Sequence, residues 1–458
     1  MAHIANSRNS QLELFEPTGR VDKSQSKNGV GFSDPAFASN KTLPVHRWVP
    51  WIAGFSSDFV RDALSLYLNG EGTVLDPFSG VGTTLIESIL QGFNVIGFEI
   101  NPYAALACRV KVNAHQIGLN NLYSAIQGLK KFYKDKASSD YKPQSLPPEG
   151  FKTRAEFYSP KVLRKVLIIQ DFISCVEDLM VRDLFRLAFA STMVRYSNYS
   201  YEPSLGRRAS AGKEDILDFP VGEIILNKLI EMAEDIKWLE WKVPSSGATA
   251  RIINASFFEH QAHIEPSSID IIITSPPYLN NYHYNRNTRP QLYWLGYAET
   301  PRDLKTLEDS NFGKYWQTVR SQGRLELGFS LPGTDLEDNL DTLRALNVER
   351  GIYGGNGWAN YAVSYFKDCY RFAQGISYVL KPGGKALVVI GNSILQGILI
   401  PTDYYFGKIA ELIGLKLVDI HIPRETRVGN SIIQSAVRVT KAKASHQLYE
   451  AVVELEKP

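Results

Sequence analysis

The tetrapeptide Ser275-Pro276-Pro277-Tyr278 combines a small hydroxyl, a peptide carbonyl and a phenol ring on backbone that two prolines stiffen. It follows Ile269-Asp270-Ile271-Ile272-Ile273-Thr274, an apolar run that reads as a buried strand. Proline has no N–H to continue the ladder, so the chain must leave the sheet there as a stiff loop. That fixes the polar atoms at the carboxyl edge of a sheet, where open α/β sheets bind their ligands. Ser275 Oγ and the Pro276 carbonyl are two acceptors suited to the two hydrogens of an amine. An amine held there could accept a methyl group. Taken alone, the tetrapeptide also fits a plain Pro-rich turn.

A second segment narrows the choice. Val74-Leu75 runs into Asp76-Pro77-Phe78-Ser79-Gly80-Val81-Gly82-Thr83-Thr84, and Leu85-Ile86-Glu87-Ser88-Ile89-Leu90 then reads as the start of a helix. Thr83 or Thr84 is expected as its N-cap. Gly80 and Gly82 let the backbone approach a ligand. Asn94-Val95-Ile96-Gly97-Phe98 reads as the next strand and ends at Glu99, about 20 residues after Gly80. A Rossmann-like unit places an acid on a ribose hydroxyl pair at that spacing. The turn is not the dinucleotide Gly-x-Gly-x-x-Gly pattern, since threonines fill its later positions. The order strand, glycine turn, helix, strand, acid points to an adenosine-containing cofactor.

Together the two segments resemble the amino-methylating DNA methyltransferases, which use S-adenosylmethionine. The resemblance implies that the Asp76–Thr84 element binds the methionine end of the cofactor, that Glu99 binds its ribose and that Ser275–Tyr278 is the catalytic loop. His46-Arg47-Trp48-Val49-Pro50-Trp51 is similar to the segment that packs on the cofactor in that family, which adds Trp48 to the cofactor residues. Ile100 follows Glu99, and Asn254 or Ser256 lies near the expected adenine pocket. Leu380-Lys381-Pro382-Gly383-Gly384 and the apolar run after it look like the late turn and strand of many such enzymes. The resemblance spans roughly residues 44–110 and 250–440.

The residue types fit the chemistry. An exocyclic amine on cytosine or adenine is a poor nucleophile because its lone pair is delocalised into the ring. Acceptors around its hydrogens favour a pyramidal nitrogen. Much of the acceleration then comes from positioning. Tyr278 can stack on an extruded base. Serine at the first position of the loop goes, by resemblance, with cytosine N4, whereas Asp or Asn goes mostly with adenine N6. Adenine N6, an RNA amine and a catalytically silent DNA-binding module are the alternatives. Carbon-5 cytosine methylation needs a cysteine nucleophile, commonly after a proline. Here Cys108, Cys175 and Cys369 follow Ala107, Ser174 and Asp368, which disfavours it.

The chain has 458 residues with 44% hydrophobic content, ample for a large α/β domain. The expected fold is a Rossmann-like methyltransferase sheet with a largely helical insertion. Residues 1–40 read as a flexible arm, 41–112 as the cofactor half and 113–248 as the helical insertion, which together with 279–360 is a candidate DNA-recognition region. Residues 249–458 read as the catalytic half, with an irregular segment at 279–360. Late strands are expected at 385–391, 415–420 and 432–439. The three cysteines give neither a metal spacing nor a disulfide framework, no metal is required, and a reducing cytoplasm fits. Neither a signal core nor a membrane-length apolar run is present.

Net charge is only +2, from 50 basic and 48 acidic residues, so a nucleic-acid enzyme would need a local basic face. One such segment starts at Arg195 and, through alternating Tyr, Ser and Asn, reaches Arg207, Arg208 and Lys213. A second follows the Pro-Pro loop and carries Tyr282, Tyr284, Arg286 and Arg289. Both are expected to contact DNA through phosphates or base edges. Each also fits a solvated surface loop. The partner implied by the resemblance is duplex DNA, with a separately encoded restriction endonuclease as a companion.

Overall fold

Seven strands build one sheet, and their order places the two motifs side by side. In the computed structural model the described residues are 32, 39–51, 54–201, 204–244, 247–279, 284–426 and 448–458. The strands are β1 (Thr73–Asp76), β2 (Asn94–Phe98), β3 (Ala250–Ile253), β4 (Ile269–Thr274), β5 (Leu380–Gly391), β6 (Lys416–Thr426) and β7 (Leu448–Glu456). Across the sheet they run β6-β7-β5-β4-β1-β2-β3. β1 pairs in parallel with both β2 and β4, and β4 with β5. β7 lies antiparallel between β5 and β6. The chain therefore winds outward in one direction from β1 and in the other from β4. Their adjacent carboxyl ends form the switch point at which such sheets bind ligands.

The central strands are apolar because both faces of the sheet are covered. Ile271, Ile272 and Ile273 are each fully buried. Burying one such side chain contributes ~1.5–3 kcal/mol. They alternate between two cores: Ile271 and Ile273 belong to one, Ile272 to the other. The first core is closed by helices α1 (Ser57–Tyr67), α2 (Thr83–Leu90) and α3 (Pro102–Asn113). The other is closed by α8 (Asn356–Val379) and α9 (Thr402–Leu412).

The segment between β2 and β3 supplies α4 (Leu119–Ala137), α5 (Pro160–Ser174), α6 (Leu179–Thr192) and α7 (Val221–Lys242). Their apolar faces join the first core without forming a separate one. A short hairpin, Tyr199–Tyr201 with Leu205–Arg207, leads from α6 toward α7. Asp235, buried on α7, is the anchor for the segment that precedes α1. Its Oδ2 accepts from Val45 N and Trp48 Nε1, each at 2.8 Å, and its Oδ1 accepts from Arg47 Nη2 at 2.6 Å. His46 Nε2 meets Glu87 Oε1 of α2 at 2.8 Å.

Several expectations change here. Neither Thr83 nor Thr84 caps α2. Gly82 does, at φ 85°, a left-handed conformation that glycine adopts without steric cost. Asn40 belongs to the folded body rather than to an arm. It is fully buried, with Nδ2 donating to Phe55 O at 3.2 Å and Oδ1 accepting from Ser57 N at 3.0 Å. The last strand of the sheet is β7 at 448–456, which the apolar pattern did not single out. The strand expected at 432–439 lies outside the described residues, as do residues 1–31 of the expected arm.

Candidate active site

The glycine turn is held from beneath. Ser79 N donates to Phe98 O at 2.9 Å and Gly82 N to Ser79 O at 2.7 Å, so the turn is tied both to β2 and to itself. Lys111 of α3 is buried and donates Nζ to Val81 O at 3.0 Å. Burial pulls this ammonium down to about 7, far below an ordinary lysine. Gly80 sits at φ 52°, and a Cβ there would lie 3.2 Å from Trp51 Nε1. The indole of Trp51 thus closes over backbone that any larger residue would push away.

Two carboxyl groups flank the turn. Asp76 is fully buried, and its Oδ1 accepts from Thr274 Oγ1 at 2.6 Å and from Phe78 N at 3.0 Å. This bond joins the ends of β1 and β4, and so the two sequence motifs. Oδ2 of Asp76 finds no hydrogen-bond donor among the described residues. Burial raises Asp76 to about 6, against the pull of Thr274, Thr84 and Phe78 N. Glu99 Oε2 accepts from Gly80 N at 2.8 Å and Oε1 from Asn101 N at 2.7 Å. Burial still outweighs these two bonds and pushes Glu99 up to about 7.

Between turn, acid and Pro-Pro loop lies a cleft of about 700 Å³, its open mouth included. Of the residues singled out by sequence, Pro77, Phe78, Gly80, Glu99, Ile100, Ser256, Ser275 and Pro277 line it. Asp76, Ser79, Gly82, Thr83 and Thr84 stand behind the wall as its support. Pro276 is buried beside Ser275. The Tyr278 ring turns toward the neighbouring strands β5 and β7. Its edge would meet a Cβ on Gly391 of β5 at 3.0 Å, and its hydroxyl donates to Glu450 Oε1 of β7 at 3.4 Å.

Two further expected cofactor residues are also off the cleft. Trp48 is fully buried, its indole N–H committed to Asp235. Trp51 takes the cleft position instead. Asn254 is exposed just outside the cleft, with Nδ2 donating to Glu99 O at 2.7 Å and to Ile100 O at 3.1 Å. It therefore braces the end of β2. Sequence reasoning also missed Asn101, Phe257, Asn285, Asn311 and Phe312, all on the cleft. Asn101 was detectable as the residue before Pro102 at a helix start: it caps α3, Oδ1 accepting from Tyr103 N at 3.1 Å.

Beside this cleft, and sharing Trp51 with it, is a second and wider cavity of about 1620 Å³ with its mouth. Lys41, Arg195 and Arg208 line it together with Tyr103, Tyr199 and Tyr201. Arg195 is exposed, and Arg208 spends Nε on Glu214 O at 3.0 Å. Arg207, by contrast, is only half-buried yet has its Nε sealed from solvent without a partner among the described residues, and it is not on the cavity wall. Arg289 is committed within the protein, Nη2 donating to Lys152 O at 2.7 Å and the guanidinium lying over Phe151 and Tyr293. Arg286 is exposed. Tyr282 and the Tyr284 side chain lie outside the described residues.

The arrangement fits a cationic adenosine-containing ligand. Glu99 lines the cleft, Asp76 lies behind it, and no Lys or Arg is among the described residues of its wall. A positive charge on the ligand would offset the burial that raises both acids. Among the described residues no group of three or more His, Cys, Asp or Glu could hold a metal, and no helix is long and apolar enough to cross a membrane.

Comparison with known proteins bears on the same residues. The DNA methylase family model, of N6/N4 type, matches residues 20–108, which include the glycine turn and Glu99. The Type II methyltransferase M.BsoBI of Geobacillus stearothermophilus is 26% identical over 435 residues, 86% of this chain and 83% of that protein. The Type II methyltransferase M.AvaI of Anabaena variabilis is 25% identical over 451 residues, 92% of this chain and 89% of that one. The Type II methyltransferase M.MvaI of Kocuria varians is 23% identical and covers 73% of each chain.

Proposed function

We infer that this chain, an S-adenosylmethionine-dependent DNA amino-methyltransferase, methylates the exocyclic N4 amine of cytosine in duplex DNA at a short specific sequence. Ser275 carries the base choice: a serine hydroxyl, not a carboxylate or amide, stands at the first position of the Pro-Pro loop and lines the cleft. Its Oγ and the Pro276 carbonyl accept from the two hydrogens of the target amine. That interaction strengthens as the nitrogen pyramidalises, so it acts on the transition state more than on binding. Tyr278 holds the extruded base by stacking, and its hydroxyl bond to Glu450 fixes the ring.

The cofactor, when bound, supplies a methyl group on a cationic sulfonium. Glu99 accepts the ribose hydroxyls, Ile100 and Ser256 frame the adenine, and the Gly80 backbone under Trp51 takes the methionine end. Asp76 and Glu99 give the cleft the negative character that such a cation needs. The basic cavity lined by Lys41, Arg195 and Arg208 is the DNA face, where guanidinium and ammonium groups meet phosphates. Helices α4–α7, with Arg195 just after α6 and Asp235 of α7 holding Trp48, are the proposed recognition region. The likeness to Type II methyltransferases supports a companion restriction endonuclease with the same target site.

The experiment is direct. Purified protein is incubated with labelled S-adenosylmethionine and mixed-sequence duplex DNA, and the digested nucleosides are identified by mass spectrometry. N4-methylcytosine is the expected product. N6-methyladenine alone would overturn the base choice and leave the class of reaction intact.

A further inference from the structure

One buried polar group on the cleft has no role in the chemistry above. Asn285 is 2% exposed and lines the cleft, yet its Nδ2 has no hydrogen-bond partner among the described residues. Native proteins leave few buried donors unpaired, and those that remain call for a physical reason. Hydrogen bonds of its neighbours hold the segment on two sides. Thr288, three residues on, accepts from Asn101 Nδ2 at 2.8 Å, and Asn101 N in turn donates to Glu99 Oε1 at 2.7 Å. On the other side Asn287 Oδ1 accepts from Leu205 N at 2.9 Å, and its carbonyl accepts from the Tyr201 hydroxyl at 3.0 Å. The segment is thus tied to the acid at the end of β2 and to the hairpin before α7.

We propose that Asn285 is a cofactor-binding residue whose Nδ2 donates to the ribose hydroxyl pair that Glu99 accepts from. The proposal rests on the reading of the cleft as an S-adenosylmethionine site with Glu99 at the ribose. A hydroxyl carries one proton and two lone pairs. An ionised Glu99 is an acceptor only, so it takes the protons and leaves the lone pairs of the diol unfilled. The donors closest to it, Gly80 N and Asn101 N, are already spent on its own carboxylate. With no Lys or Arg among the described residues of the wall, the Asn285 amide is the donor that completes the set. A residue ten positions beyond Ser275 in the chain then belongs to the cofactor site, although its neighbours in sequence read as DNA-contacting.

Calorimetry on the full-length protein tests this with two ligands, S-adenosylhomocysteine and 5′-methylthioadenosine. The second keeps adenine and ribose and lacks the amino-acid end. Asn285→Leu should weaken both by a similar factor, up to about tenfold for one lost hydrogen bond. Its melting temperature without ligand should change little, since the Nδ2 donor it loses has no partner there among the described residues. Asn285→Asp, of the same shape, should weaken both further by setting a second carboxylate near Glu99. Affinities in both variants equal to wild type would overturn the assignment. So would a loss confined to S-adenosylhomocysteine, which would put Asn285 at the amino-acid end. If the wild-type protein binds neither ligand, the cofactor reading of the cleft falls and the Asn285 contact falls with it.

Discussion

Replacing Glu99 by Gln changes one charge at the centre of the cleft and keeps the shape. In the ligand-free protein the Glu99 carboxylate is held by Gly80 N at 2.8 Å and Asn101 N at 2.7 Å, yet burial raises it to about 7. Accepting two ribose hydroxyls requires the ionised form. A hydrogen bond to a charged group contributes ~1.5–3 kcal/mol, so its loss should weaken cofactor binding by about 10- to 150-fold. The amide also turns an N–H toward one of the two backbone donors, which sets Gln apart from a neutral but otherwise intact acid. The pH dependence has a definite sign. Below pH 7 Glu99 must release a proton before it can bind ribose, so wild-type affinity should fall on acidification, by up to about tenfold per pH unit. Glu99→Gln should lose this component and keep only a weaker one from Asp76, which burial raises to about 6 behind the cleft. Linkage also affects stability. The native Glu99 keeps a proton that the unfolded chain releases between the ordinary glutamate range and 7, so its contribution to stability declines as pH rises through that window. Calorimetric titration of S-adenosylhomocysteine from pH 5.5 to 8.5 measures both variants. Equal affinity in Glu99→Gln, with a profile parallel to wild type, would refute the ribose assignment.

Three further outcomes are expected. Tyr278→Ala should reduce single-turnover methylation by about 5- to 150-fold, the equivalent of ~1–3 kcal/mol of base stacking. Its affinity for S-adenosylhomocysteine should not change, because the ring packs on Gly391 and Glu450 away from the cleft; methylation at the wild-type rate would place the chemistry elsewhere. Ser275→Ala should lower turnover by about 2- to 10-fold for one neutral hydrogen bond, with DNA affinity retained, and Ser275→Asp should recover part of the rate because a carboxylate also accepts from an amine. Weaker DNA binding in place of slower turnover would make Ser275 a binding group. Changing Arg195 and Arg208 together to Ala should weaken DNA binding and reduce the log–log salt slope by up to ~0.9 for each lost phosphate contact. An unaltered slope in fluorescence anisotropy would take the cavity off the DNA face and direct attention to Arg286.

Local sequence was sufficient wherever chemistry depends on neighbours in the chain. Asp76–Thr84 and Ser275–Tyr278 are contiguous, and an apolar run that stops at a glycine turn or at two prolines has few folded forms. The strands before them, the acid at the end of β2 and the α/β class were legible for that reason. The adjacency of β1 and β4 was not legible locally. The Thr274–Asp76 bond that joins them spans the sheet. What the pattern could not decide was which of several similar residues faces the cleft. Trp48 and Trp51 are three apart in the same segment, and both are tryptophan. Asp235, almost two hundred residues away, captures the first indole and leaves the second on the cleft. Arg289 and Arg195 both read as DNA contacts, but a free carbonyl at Lys152 and two aromatic faces take up Arg289, while Arg195 remains exposed on the basic cavity. Asn285 sits in a run of polar residues, and the bonds of Thr288 and Asn287 tie its segment beside the cleft. β7 was missed because its alternate residues face two different cores and its partners β5 and β6 lie far off in the chain. Burial and the choice of hydrogen-bond partner depend on which segments meet in space, and the sequence does not state that locally.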